Sequence, residues 1–220
     1  GQTFQRVEDK NSPYYGRQIV GEDGLPLITT GKSKVGNQSP DWMLGLTNNF
    51  VYKGFNLSFL IDFRIGGDLY SATASNLYVR GNAAGTVVNG GRENFVVPNS
   101  VVQTPDGYKE NNVAVTPQNY WERIGSTGNY GLPEMYTYDA TNIRLRNITL
   151  GYDFNRAILK STPFQRLRLS ATCNNVWMIH YNLPGIDPES VSATNTNATG
   201  FENGAAPTSR SFTFNVTVGF

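Results

Sequence analysis

Histidine and cysteine each occur once in the 220 residues, as His180 and Cys173. A single cysteine excludes an internal disulfide. With one histidine as well, neither a Cys–His nucleophile pair nor a histidine-bearing metal cluster can be assembled. Asp187 and Glu189 flank Pro188 in a way that suits turn punctuation better than acid–base work. No EF-hand spacing occurs either. The chain is therefore expected to be no enzyme and to carry no metal and no cofactor. Charge is scarce too: charged residues make up 16%, the formal net charge is +1, and both signs are scattered. That leaves no footprint for nucleic acid. No apolar run approaches the roughly 18 residues of a transmembrane helix. The mean hydropathy of -0.37 does not make the chain soluble, because alternate residues of a barrel face a polar interior and dilute the average. Gly1 to Arg6 show no cationic segment, apolar segment or cleavage site. We therefore expect either a removed targeting segment or a chain that begins partway through something longer.

What is present is aromatic (12%) and turn-forming, a mixture suited to strands joined by loops. From Arg210 to the end, Phe212, Phe214, Val216, Val218 and Phe220 alternate with Ser211, Thr213, Asn215, Thr217 and Gly219. Successive strand side chains point to opposite faces, so this strand has one apolar and one polar face. Its length, about eleven residues, matches what a tilted strand needs to cross a bilayer. Phe55 to Ile65 repeats the pattern, with Phe55, Leu57, Phe59, Ile61, Phe63 and Ile65 in one row. It pairs in a hairpin with Trp42 to Phe50. Asn142 to Asp153 carries Ile143 and Leu145 in one phase and Ile148, Leu150 and Tyr152 in the other, which predicts a β-bulge or a change of environment along the strand at Asn147. Gln165 to Trp177 alternates Leu167, Leu169, Ala171 and Cys173 against polar neighbours, and a helical turn is expected between 154 and 164.

Residues 1–41 read as a loop and hairpin region leading into these strands, and 42–220 as antiparallel strands with long loops at 66–141 and 178–209. Connections alternate short and long, as they do in outer-membrane barrels with tight periplasmic turns and extended external loops. Aromatics cluster near strand ends (Trp42, Phe50, Tyr52, Phe55, Tyr152, Phe154, Trp177, Phe220), where interfacial girdles sit. A soluble β-sandwich produces the alternation as well, but has no reason to sort loop lengths by parity.

Several stretches, in order along nearly the whole chain, resemble the C-terminal part of SusC/RagA-type TonB-linked outer-membrane transporters. They are Gly24-Leu-Pro, Gly36-Asn-Gln-Ser-Pro-Asp-Trp, Gly45-Leu-Thr-Asn-Asn-Phe and Tyr52-Lys-Gly-Phe-Asn-Leu-Ser-Phe-Leu-Ile-Asp. Gly66-Gly-Asp-Leu-Tyr-Ser-Ala-Thr, Tyr120-Trp, Asn142-Ile-Arg-Leu-Arg-Asn-Ile-Thr-Leu-Gly-Tyr, Asn174-Asn-Val-Trp, Gly185-Ile-Asp-Pro-Glu and the terminal Phe follow. The resemblance implies a multi-pass, 22-stranded barrel in the bacterial outer membrane, with an N-terminal plug and a SusD-like lipoprotein lid. It implies import of oligosaccharides or peptides, driven by the TonB system.

About five strands cannot close a barrel, and open edges are not tolerated in lipid. The chain is therefore expected to be a C-terminal piece whose outer strands pair with the rest of the same barrel. Asp62, Arg64, Arg144, Arg146, Arg166, Arg168, Asn174 and Asn215 are expected to face the lumen, touching the plug or solute path or forming cross-strand ion pairs. Phe220, with Phe214 and Val218 in phase, resembles the signal read by the barrel-assembly machinery. Tyr78, Tyr120, Trp121, Tyr130, Tyr136 and Tyr138 in the long loop are candidates for substrate or lid contact, or for packing the loop onto itself. The competing class is a secreted, non-enzymatic β-sandwich that binds glycans.

Overall fold

The computed structural model describes residues 1–127, 131–191, 196 and 198–220. In chain order the strands and helices are β1 (Gln18–Val20), β2 (Trp42–Tyr52), β3 (Phe55–Ile65), β4 (Asp68–Ser71), α1 (Ala72–Val79), β5 (Phe95–Val96), β6 (Ser100–Thr104), β7 (Gly107–Glu110) and β8 (Ala114–Val115). Then come α2 (Pro117–Gly125), α3 (Pro133–Tyr136), β9 (Thr137–Asp139), β10 (Asn142–Asp153), α4 (Arg156–Leu159), β11 (Arg166–Tyr181), β12 (Phe201–Glu202) and β13 (Ser211–Gly219). The chain divides into two compact units. One comprises Gly1–Gln38, Leu69–Tyr138 and Val191–Ala205; the other comprises Ser39–Asp68, Asp139–Ser190 and Ala206–Phe220.

The second unit is a five-stranded antiparallel sheet in the order β13-β11-β10-β3-β2. The β2–β3 hairpin turns on Lys53 and Gly54, at φ 45° and 89°. Positive φ at both central residues gives the turn the hand that twisted strands require. Strand β2 runs to Tyr52, two residues past its sequence-based end, so the turn is as short as a hairpin allows.

Pairing aligns the apolar rows of all five strands on one face. Phe55, Leu57 and Phe59 sit opposite Tyr152, Leu150 and Ile148, and these sit opposite Leu169, Ala171 and Cys173. Val216, Phe214 and Phe212 complete the three rows. The phase slip in β10 is a bulge, as its sequence suggests. Leu145 pairs with Ile61 and Asn147 with Leu60, and Arg146 is skipped. The extra residue returns Ile143 and Leu145 to the same face as Ile148, Leu150 and Tyr152. Opposite this bulge β11 skips Asn175, at φ 50°, and Val176, and a second irregularity skips Ile179, between His180 opposite Ile143 and Met178 opposite Arg144. Strand β11 is 16 residues long, and β13 accompanies it only as far as Asn174.

The apolar face is uncovered. Phe212, Phe214 and Phe220 are 67%, 79% and 80% exposed, although a side chain of this kind gains about 1.5–3 kcal/mol on burial from water. Aromatics gather at one end of the sheet, where Phe55 meets Tyr152 at 4.6 Å and Phe164 meets Phe220 at 5.6 Å.

The other unit holds most of the segment expected as a 66–141 loop, and its described residues carry strands and helices. Strand β1 pairs parallel to β6, and β6 turns back into β7. One face of this small sheet buries Val7, Ile19 and Val101; the other buries Val20, Val102, Val97 and Val115. Two helices pack together, each with a side-chain cap: Ser71 accepts from the Ala74 amide and Thr116 from the Asn119 amide. Gly125 permits their close approach, since a Cβ there would lie 1.8 Å from Val79 Cγ2. Strand β12 lies parallel to β4, where the buried Glu202 carboxylate accepts from Ser71 and Thr73 hydroxyls, each at 2.5 Å. Among the described residues no helix is long and apolar enough to cross a membrane, which says nothing of crossing by strands.

Candidate functional site

The polar face of the five-stranded sheet carries an ionic lattice centred on β10. Arg144 and the bulge residue Arg146 are two apart, and so are Asp187 and Glu189 in the segment after β11. The two sets interlock. Arg146 donates Nε to Asp62 at 2.6 Å and its two terminal nitrogens to Glu189 at 2.8 and 2.5 Å, a fork on a carboxylate. Arg144 donates to Asp187 at 2.6 Å and to the Thr208 hydroxyl at 2.5 Å, with Glu189 at 3.5 Å. The Arg144 and Asp187 side chains are 3% and 9% exposed, so this pair is a buried one.

Asp187 organises its own loop. It also accepts from the Glu189 amide at 3.0 Å, the Thr208 amide at 3.0 Å and the Thr208 hydroxyl at 2.5 Å. Burial by itself raises its pKa. The Thr208 hydroxyl, the two amides and the Arg144 charge outweigh burial and hold the carboxyl below its ordinary range. A cavity of about 420 Å³ opens beside the pair, walled by Trp177, Met178, Tyr181 and Ile186.

The remaining residues expected at the lumen fall on the same polar face. Arg64 sits opposite Met43 and Asn142 in the register. Arg166 and Arg168 lie 3.6 and 3.8 Å from Asp153 near the far end of the sheet, a looser arrangement than the lattice. Asn174 donates to the Ser211 hydroxyl at 3.1 Å. Asn215 is paired with Ser170. Phe214 and Val218 lie in the opposite, apolar row, which Phe220 ends.

The loop aromatics have another arrangement. Tyr78 packs on Trp121 at 4.4 Å and on Tyr136 at 6.0 Å, and Tyr120 meets Trp121 at 4.9 Å edge-on. Trp121 is 8% exposed and Tyr136 fully buried, so these two are core residues of their unit. Tyr78, Tyr120 and Tyr138 keep partial exposure. Burial, and then the neighbouring Tyr78, push the Tyr138 phenol up to about 12. Tyr130 lies outside the described residues. No cluster of three or more His, Cys, Asp or Glu able to hold a metal occurs among the described residues.

Sequence reading missed Asp187 and Glu189 as partners, treating them as turn residues. The available signal was the shared spacing: two cations two apart on a strand, and two carboxylates two apart in a later loop.

No protein-family model matches the chain. Curated relatives do. It is 27% identical over 209 residues to TonB-dependent receptor P3 of Formosa agariphila, covering 90% of this chain and 18% of the relative. TonB-dependent receptor P39 of the same organism is 30% identical over 191 residues, covering 84% of this chain and 17% of the relative. TonB-dependent receptor SusC of Bacteroides thetaiotaomicron is 25% identical over 197 residues, covering 88% and 17%. The chain thus spans under a fifth of the length of the curated relatives it matches. Among solved structures, the RagAB peptide importer in its open-open state superposes with a TM-score of 0.53 at 15% identity, covering all of this chain and 22% of that one. The closed-closed state gives 0.53 at 14% identity, covering 91% and 20%. These two show a shared fold.

Proposed function

We propose, for a chain that resembles SusC/RagA-type TonB-linked outer-membrane transporters in sequence and in fold, that it is the C-terminal wall of such an importer. In this reading the five strands belong to a 22-stranded barrel. The edges β2 and β13 pair with other strands of the same barrel, and an upstream plug fills the lumen. Long connections lie outside, short ones in the periplasm. Oligosaccharides or peptides are the cargo, a SusD-like lipoprotein is the lid, and the TonB system supplies the energy. The chain has no catalytic part in this.

One observation carries the reading: a broad antiparallel sheet whose aligned Phe, Leu, Ile and Val rows are uncovered on one side, while an ion-paired lattice occupies the other. Oil on one side and water on the other give both faces a suitable solvent. A sandwich needs a second sheet packed against the apolar rows, about 10 Å away. The terminal row of Phe214, Val218 and Phe220 stands exposed, accessible to the barrel-assembly machinery.

The test is fractionation of cells expressing the protein. The expected result is recovery in the outer membrane, resistance to carbonate washing, release only by detergent, and a band that shifts on heating. Recovery as a soluble, detergent-independent protein overturns the reading.

A further inference from the structure

A cavity of about 240 Å³ lies in the unit built from the long loop, between the end of α1 and the first turn of α2. One wall is aromatic, made by Tyr78 and the locked Trp121. Val79 and Pro117 add apolar surface, and Arg80, Arg92, Gln118 and Glu122 supply the polar groups.

The two arginines are unusual within their unit. Arg6, Arg17 and Arg123 each face a carboxylate. Among the described residues Arg80 and Arg92 face none. Arg92 is nonetheless steadied, because one terminal nitrogen donates to the Gly81 carbonyl at 2.8 Å. Among the described residues no other group accepts from the Arg92 guanidinium and none from that of Arg80, which leaves their N–H groups for an anion. Guanidinium groups bind planar or tetrahedral oxyanions through parallel hydrogen bonds.

Glu122 sits in the same lining, and it decides the kind of anion. Gln118 donates to one of its oxygens at 2.8 Å. The other oxygen and the Gln118 carbonyl need donors. An acidic amino-acid side chain offers none of its own. A sugar ring carrying an acid group offers both: an oxyanion for the arginines, and hydroxyl donors for the acceptors. Its flat apolar face suits the Tyr78 and Trp121 wall, and the cavity is about the size of one ring.

We propose that this cavity is a subsite for one acidic sugar residue of an oligosaccharide. Arg80 and Arg92 hold the carboxylate or sulfate, and Glu122 accepts from ring hydroxyls. That the saccharide is imported rests on the importer reading; the cavity's preference for an acidic sugar does not.

The experiment uses the complete detergent-purified protein and calorimetric titration with four probes of matched length. These are an oligogalacturonate, a sulfated galactan oligosaccharide, a neutral cello-oligosaccharide and an oligoglutamate peptide. One or both acidic sugars should bind more tightly than the neutral sugar and the peptide, and more weakly as salt rises. Which one binds identifies the group. The Arg80→Gln/Arg92→Gln double variant should lose about tenfold or more in affinity. Arg156→Gln, on a helix of the other unit, should lose nothing. Equal binding of the neutral sugar, tighter binding of the peptide, or a double variant that binds like the parent overturns the proposal. The heat shift of the same preparations reports barrel formation separately. A failed importer reading thus shows in the gel, and a failed subsite in the titration.

Discussion

Arg144 and Asp187 meet at 2.6 Å with both side chains nearly sealed from solvent. Removing one partner of a buried pair leaves the other charged and unsolvated, at a cost of about 3–5 kcal/mol. Arg144→Gln should therefore lower the unfolding temperature sharply. Arg144→Gln/Asp187→Asn should recover part of the loss, because no stranded charge remains. Thermal melts in detergent of the two single variants and the double variant test this; a double variant no better than either single one contradicts it.

The same pair makes the loop acid-sensitive. The folded Asp187 carboxyl titrates below its ordinary range. Its stabilising contribution is therefore complete above the unfolded value of about 3.9 and is lost as pH falls through the lower, folded value. Trp177 borders the adjoining cavity and reports the change. With Trp42 and Trp121 replaced by Phe, its emission should hold steady from neutral pH to about 4 and shift below that. Asp187→Asn should abolish the step.

Deleting Arg146 and truncating it are expected to differ in kind. Arg146→Ala removes two half-exposed ion pairs and should cost about 1 kcal/mol. Deletion removes the bulge, so either Ile143 and Leu145 or Ile148, Leu150 and Tyr152 turn to the wrong face. The heat-shifted band should survive the substitution and vanish on deletion.

The apolar face should be intolerant of charge in mid-strand. Phe214→Arg and Phe59→Arg place a cation on that face in mid-strand, at about 2–4 kcal/mol if the surroundings are hydrocarbon. Thr213→Arg places it on the polar face. Assembly measured by heat-modifiability should fall for the first two alone; equal tolerance of all three would remove the basis for assigning the faces.

Gly54 admits no side chain. It sits at φ 89°, and a Cβ would come within 2.7 Å of the Asp153 carbonyl oxygen. Gly54→Ala should destabilise by more than about 1 kcal/mol, whereas Lys53→Gly, at φ 45°, should be neutral or mildly stabilising. Denaturant midpoints of the two variants distinguish them.

The five-stranded sheet was readable in the sequence because its signal is local. A period of two over Phe55–Ile65 and Ser211–Gly219 names the faces, and the phase slip before Ile148 marks the bulge. The unit around α1 and α2 was not readable. Its strands are two to five residues long, too short for a period, and β1 finds its parallel neighbour β6 far along the chain. Tyr136 and Trp121 carry the same letters whether they bind a ligand or fill a core; only their burial separates the two. Asp187 and Glu189 looked like punctuation around a proline because their partners on β10 are remote in sequence.

The fork by which Arg146 grips Glu189 while reaching back to Asp62 ties together three stretches that lie far apart along the polypeptide. Such positions cannot drift independently. Across relatives they should exchange as a set, charge for charge or all to neutral, and the size of that correlated set would trace how far the lattice extends.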